Sequence, residues 1–184
     1  MDAKISISTE QTGNGFHLAQ FKTAELTVFT YYVESKDECI LIDPPYDTLI
    51  LREYIQKRNT TLKYVFLTHY HADFLSGHNE FKVPIVMGKG SKREVNKFNV
   101  LEQEDGAILH LGNVQIKVIH TPGHTLESST FLLIDNTSAP VCLFTGDTLF
   151  LGDVGRPDLA ANSTLTPADL AGLLFDSVQK LKAL

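Results

Sequence analysis

An apolar strand that runs directly into a row of metal-capable side chains constrains this chain more than any other feature. Tyr64-Val65-Phe66-Leu67 is β-branched, aromatic and apolar, and Thr68-His69-Tyr70-His71-Ala72-Asp73-Phe74-Leu75-Ser76-Gly77 follows it without a break. If the extended backbone continues past Leu67, then His69, His71 and Asp73 share one face, because side chains alternate along a strand. Imidazole and carboxylate donors together suit zinc or non-haem iron. The segment therefore points to a metalloenzyme.

The rest of the chain fits one soluble domain spanning residues 1–184. With 184 residues and 43% hydrophobic content it can bury a substantial core. No apolar run approaches the ~18–20 residues that span a bilayer, and Met1-Asp2-Ala3-Lys4-Ile5 lacks the apolar region of a signal peptide, so a cytoplasmic protein is expected. The formal charge of −6 argues against a general nucleic-acid partner. Lys89, Lys92, Arg93 and Lys97 are the one local basic cluster and read as a solvated helix face. Cys39 and Cys142 each lie in an apolar strand-like run and read as buried free thiols.

Strand signals dominate, with helices between some of them. Phe16 to Phe21, Thr27 to Val33 and Cys39 to Ile42 read as strands, the third stopped by Asp43-Pro44-Pro45. Tyr46 to Arg58 reads as a helix with Leu51, Tyr54 and Ile55 on one face and Asp47 at its start. After the strand at Lys63 to Leu67 come a short helical piece near Asn79 and a strand at Val83 to Met87. Ala107 to Leu111, Val114 to His120, Ser129 to Ile134 and Val141 to Phe144 follow as strands, with Gly112-Asn113 as a hairpin turn. A final helix opens at Thr166-Pro167, with Asp169 in its first turn and an apolar stripe of Leu170, Leu173, Leu174, Val178 and Leu181.

Two later segments complete a donor set. Thr121-Pro122-Gly123-His124-Thr125 follows one apolar strand, and Phe144-Thr145-Gly146-Asp147-Thr148 ends another. Taken alone, His124 reads as a surface residue after a turn and Asp147 as a turn or cap residue. Together with the first run they place polar groups at the ends of three apolar strands, at a sheet rim of the kind where ligands collect in α/β proteins.

These segments, in this order and spacing, resemble the metallo-β-lactamase superfamily. Within it, Leu151-Gly152-Asp153-Val154-Gly155-Arg156-Pro157-Asp158-Leu159 is more similar to the persulfide dioxygenase branch, which includes members fused to rhodanese domains, than to β-lactamases or glyoxalase II. The resemblance implies an αββα sandwich of two mixed sheets with helices outside and a metal at one edge. It also implies Fe(II), with zinc as the alternative, held by His69, His124 and Asp147. His71 is then either a fourth ligand or a partner of the ligands, and Asp73 orients a bound water or an imidazole N–H. Where the hydrolases of the superfamily carry the last histidine of HxHxDH, which serves a second metal, this chain has Phe74. A mononuclear site is expected, since Phe74 cannot ligate and His78 reads as a partly exposed helix residue.

The implied reaction is oxidation of a thiol persulfide by dioxygen and water to sulfite and the free thiol. Two histidines and one carboxylate leave about three positions of an octahedral iron open for such reactants. Two rivals stay open: a zinc thioester hydrolase of the glyoxalase II type, and a non-catalytic metal-binding domain. Arg156 either grips a substrate carboxylate or is a buried structural arginine paired with a nearby aspartate. Tyr70 reads as packing, and His17, His110 and His120 as structural. The persulfide carrier is left open among glutathione, coenzyme A, bacillithiol and protein. No nucleic-acid or membrane partner and no organic cofactor is expected, and a homodimer is the default. Family members continue into a further strand and a histidine-bearing loop, and the last helix reaches Leu184 without a capping glycine. A longer protein, with a rhodanese domain as a partner in the same chain, is therefore expected.

Overall fold

A computed structural model describes residues 5–24, 28–91 and 99–184. One sheet holds, in spatial and chain order, Ile5–Gly13 (β1), Phe16–Thr23 (β2), Phe29–Ser35 (β3), Glu38–Ile42 (β4), Thr61–Phe66 (β5), Ile85–Gly88 (β6) and Val100–Gln103 (β7). Ile108–Leu111 (β8), Val114–His120 (β9), Ser129–Ile134 (β10) and Pro140–Phe144 (β11) form the second. The helices are Leu49–Arg58 (α1) and Pro167–Lys182 (α2).

The first sheet is mixed: β1 to β4 form an antiparallel meander, and β5, β6 and β7 then add in parallel. The second sheet is antiparallel throughout, which corrects the expectation of two mixed sheets. Its connections are too short for the dozen or more residues that a parallel crossover needs. The Gly112-Asn113 step joins Leu111 to its partner Val114 as a two-residue hairpin.

Side-chain alternation builds the layers. Ile40, Ile42 and Phe66 face the second sheet, where Val118, Phe131 and Leu133 meet them. Cys39, Leu41 and Val65 face the other way and are covered by Leu51 and Tyr54 of α1. Outside the second sheet, Ile119 and Leu132 pack on Leu181 of α2. The order is thus helix, sheet, sheet, helix, as the αββα reading requires.

Both helices start where local chemistry supports them. The N–H of Leu49 donates to Asp47 Oδ1 at 3.2 Å, and α1 begins at Leu49 rather than Tyr46. For α2 the Thr166 hydroxyl oxygen accepts from the Asp169 N–H while the Asp169 carboxylate accepts from the Thr166 N–H, with Pro167 just inside. The buried stripe of α2 is Leu170, Leu174, Ser177 and Leu181, with Leu173 and Val178 half-buried at its flanks. Ser177 is on that face because its hydroxyl donates to the Pro122 carbonyl at 2.7 Å.

Several boundaries differ from the expectations. β1 was not anticipated: apart from Ile5 it is exposed on both faces, so no apolar alternation marks it, and pairing with β2 holds it. β7 is short and half-buried and gave no signal either. β3 begins at Phe29 and β6 at Ile85, the residue after Pro84, which has no N–H to pair. Lys89 pairs with Glu104 at 3.0 Å, while Lys92, Arg93 and Lys97 of the expected basic helix lie outside the described residues. Both cysteines are free; Cys39 is buried, Cys142 is half-buried, and burial pushes each thiol up to about 11. His17 is structural, held by Tyr54 Oη at 2.9 Å. His110 is exposed and His120 half-buried, so neither is a core residue; the His120 ring instead bonds the Leu126 carbonyl at 2.9 Å. Among the described residues no helix is long and apolar enough to cross a membrane.

Phe131 is fully buried between the sheets and meets Phe66 edge-on, with ring centroids 4.9 Å apart. Phe131→Ala should destabilise by about 3–5 kcal/mol in denaturant unfolding. Leu151→Ala, at a fully exposed position, should stay within about 0.5 kcal/mol.

Candidate metal centre

His69 lies just beyond β5, His124 just beyond β9 and Asp147 just beyond β11, at one edge of the sandwich. One ligand-capable atom from each lies within 4.8 Å of the others, and among the described residues this is the one such group. Asp147 Oδ2 stands 3.9 Å from His69 Nε2 and 3.5 Å from His124 Nε2. The two imidazoles are nearly perpendicular, at 88°. His69 is 2% exposed and His124 9%, whereas Asp147 is half-exposed at the mouth.

Each loop is fixed by contacts that reach across the fold. The Thr68 carbonyl accepts the Ser129 N–H at 2.8 Å, joining the two sheets beside His69. Thr121, Thr130 and Thr148 link their hydroxyls at 3.0–3.1 Å beneath the His124 and Asp147 loops. Gly123, at φ 139°, lies directly under α2; a Cβ there would come within 2.4 Å of Leu174 Cα. The Pro122-Gly123 turn is thereby clamped by α2, and the clamp sets the position of His124.

The hydrogen bonds sort the three histidines. His124 Nδ1 is 3.1 Å from the Arg156 carbonyl, an acceptor only, so Nδ1 carries the proton and Nε2 presents its lone pair toward Asp147. His69 Nδ1 is 3.0 Å from Thr68 Oγ1, and Nε2 again faces Asp147. His71 differs. Its Nε2 is 3.1 Å from Asp43 Oδ1, off the direct N–H line, and the residue stands outside the three-residue cluster. The backbone bends at Thr68 and His69 and again from Ala72 to Phe74, so the extended continuation expected for this run does not hold. His71 is a neighbour, its ring centroid 4.2 Å from that of His69, and not one of the converging donors.

Asp73 is exposed and outside the cluster. The atoms that meet the imidazole Nδ1 positions are Thr68 Oγ1 at His69 and the Arg156 carbonyl oxygen at His124. Arg156 is paired with Asp158, Nη2 to Oδ2 at 2.5 Å, but in solvent rather than buried as the structural reading had it; its side chain is 69% exposed. Phe74 lies against the His71 ring at a centroid distance of 4.2 Å, and His78 opens a short 3-10 turn at His78–Glu80, half-buried. The Tyr70 hydroxyl donates to the Ser91 carbonyl and its ring packs under the first sheet, as expected of a packing residue.

Burial sets the charges here. Burial and the neighbouring His71 push His69 down to about 3, so it is a neutral imidazole at ordinary pH. Burial raises the Asp147 carboxyl, and the Asp73 and Asp43 charges add to this against the opposing pull of His124 and His71. Asp43 suffers burial too, but His71 and the Thr68 hydrogen bonds outweigh it and hold the carboxyl below its usual range. Two imidazoles and a carboxylate that converge in this way fit a divalent transition metal.

Asp43, Thr68 and Glu127 were not anticipated as parts of the site. Asp43 ends a run of four buried apolar residues, Cys39 to Ile42, and a carboxylate at that position is a legible signal in retrospect. Glu127 is 6% exposed and accepts the Tyr70 N–H at 3.1 Å, tying the His124 loop to the His69 loop. Nothing in its sequence context marks it.

The fold and site define an αββα protein with a two-histidine, one-carboxylate centre at the sandwich edge. Residues 24–184 match the family model of the metallo-beta-lactamase superfamily, and the chain belongs to that superfamily. It is 31% identical over 155 residues to a hydroxyacylglutathione hydrolase of Pelagibacter ubique, covering 82% of this chain and 59% of that protein. Among solved structures it resembles a metallo-beta-lactamase from Staphylococcus aureus subsp. aureus COL, with a TM-score of 0.83 and 30% identity over 93% of this chain and 54% of that one. It also resembles ETHE1 from Myxococcus xanthus, with a TM-score of 0.70 and 26% identity over 89% of this chain and 68% of that one. The chain thus spans little more than half the length of the Pelagibacter and staphylococcal proteins.

A cobalt titration followed by absorption checks the donor set. His124→Ala and Asp147→Ala should each abolish the tight site. His71→Ala should keep it, at a cost in stability, because the buried Asp43 carboxylate then loses its imidazole neighbour.

Proposed function

We propose that the chain carries the centre of an enzyme acting on a sulfur-linked derivative of a small thiol, working as a mononuclear Fe(II) dioxygenase on persulfides. The observation that carries this reading is Phe74. Its ring fills the space beside His71 where a dinuclear hydrolase of the superfamily would place a ligand to a second metal, and among the described residues the donors that converge are one set of three. Bound Fe(II) would supply the one-electron steps that dioxygen requires.

The residues of this chain perform the remaining tasks. His69, His124 and Asp147 would hold the ion, and the Arg156 carbonyl meets His124 Nδ1 so that Nε2 faces inward. The half-exposed Asp147 leaves the mouth of the site open to a thiol carrier. The reaction balances as R–S–SH + O2 + H2O giving R–SH and sulfurous acid: the outer sulfur loses four electrons and dioxygen gains them. Arg156 and Asp158 sit at the loop beside His124, where an exposed guanidinium can exchange its aspartate for a substrate carboxylate. The enzyme is placed in the cytoplasm, with no nucleic acid or membrane as partner.

A second reading has its own support. The Pelagibacter relative is named for hydrolysis of an acylated glutathione, and a zinc thioester hydrolase would use the same three donors to activate water. The names of the curated relatives favour this reading, and Phe74 favours the first. Both share a sulfur-bearing carrier substrate.

One paired assay separates them. The iron-loaded protein, given glutathione, coenzyme A or bacillithiol persulfide, should consume dioxygen and release sulfite in equal amounts, with negligible hydrolysis of a hydroxyacylglutathione. Zinc-dependent thioester hydrolysis without oxygen uptake would replace the dioxygenase with the hydrolase.

A further inference from the structure

We propose that Thr68 is a positioning residue for the metal centre: its hydroxyl links the Asp43 carboxylate to Nδ1 of His69 and holds that imidazole in the tautomer whose Nε2 lone pair faces Asp147. The inference rests on the metal-centre reading above and assigns a role to a residue that touches neither the ion nor the substrate.

The direction of each hydrogen bond carries it. Asp43 Oδ1 accepts the Thr68 backbone N–H at 2.9 Å, and Oδ2 faces Thr68 Oγ1 at 2.8 Å. A carboxylate with an N–H on one oxygen takes a donor on the other, so the single proton of the Thr68 hydroxyl points to Asp43. Toward His69 Nδ1, 3.0 Å away, the same oxygen has only lone pairs to offer. His69 Nδ1 must then carry the proton, which leaves Nε2 unprotonated on the side of His124 and Asp147.

Thr68 is well built for this task. It is 2% exposed, and its carbonyl is anchored to Ser129 of the second sheet. Gly146, at φ 49°, presses against it so closely that a Cβ there would lie 2.4 Å from Thr68 Oγ1. The hydroxyl therefore has little freedom to turn away. His124 obtains the same tautomer from a backbone carbonyl that accepts only, whereas His69 depends on a hydroxyl that is directed by the Asp43 charge.

The test uses the full chain with Thr68→Val, which keeps the shape and removes the hydroxyl, and Thr68→Ser, which keeps the hydroxyl. Imidazole 15N NMR on metal-free protein reads the His69 tautomer, and zinc competition against a chelator reads affinity. The wild type should show His69 protonated at Nδ1. Thr68→Val should show mixed tautomers and bind zinc about 10- to 100-fold more weakly, while Thr68→Ser retains the wild-type tautomer and affinity. A wild-type His69 protonated at Nε2 overturns the proposal without any variant. So does Thr68→Val with unchanged tautomer and affinity, or Thr68→Ser as impaired as Thr68→Val. If no form binds zinc, the metal-centre reading fails, and the tautomer comparison still decides the role of Thr68.

Discussion

A carboxylate buried beneath the histidine run, Asp43, is the interaction on which the rest of the centre depends. An isolated buried charge costs several kcal/mol, so the fold must supply it with partners. It does so with the N–H and hydroxyl of Thr68 and with the His71 imidazole, whose Nε2 lies 3.1 Å from Asp43 Oδ1. Those partners decide what each histidine does. His71 turns its Nε2 to Asp43 while its ring stays beside that of His69, and His69 is oriented through Thr68 toward the convergent donors. One buried anion thereby gives different partners to two histidines whose rings lie side by side.

The larger architecture makes this local arrangement possible. The first sheet delivers Asp43 and His69 at the ends of adjacent parallel strands, β4 and β5, and the second delivers His124 and Asp147 from β9 and β11. The Ser129–Thr68 backbone bond stitches the two sheets at that edge, and α2 holds the His124 turn through Ser177 and Leu174. Core packing between Phe66 and Phe131 lies directly inside. Stability and site geometry are therefore supported by the same contacts, which is why a glycine at 123 or 146 matters to a metal it never touches.

Much of this was legible in the sequence, and the failures have physical causes. Strands such as β4, β9 and β10 announced themselves because buried strands are apolar runs, and His69, His124 and Asp147 stood out because polar donors ended such runs. β1 was invisible because it is held by backbone pairing, with almost no buried face to leave a pattern. His71 does lie beside His69, but not by strand alternation, because the backbone bends past Leu67. Asp43 to Thr68 spans 25 residues and Arg156 to His124 spans 32, and a hydrogen bond across such distances leaves no local signature. The antiparallel second sheet was readable from its short connections, yet the family resemblance pointed to a mixed one.

On the proposed reading the centre holds a single iron ion, with Phe74 against His71 where a second metal would need a ligand. Elemental analysis of the wild-type protein, purified without oxygen or chelators, tests it most directly. About one iron per chain is the predicted result. Two zinc ions per chain would contradict it, showing that Phe74 does not close the second position and that the centre is built for hydrolysis.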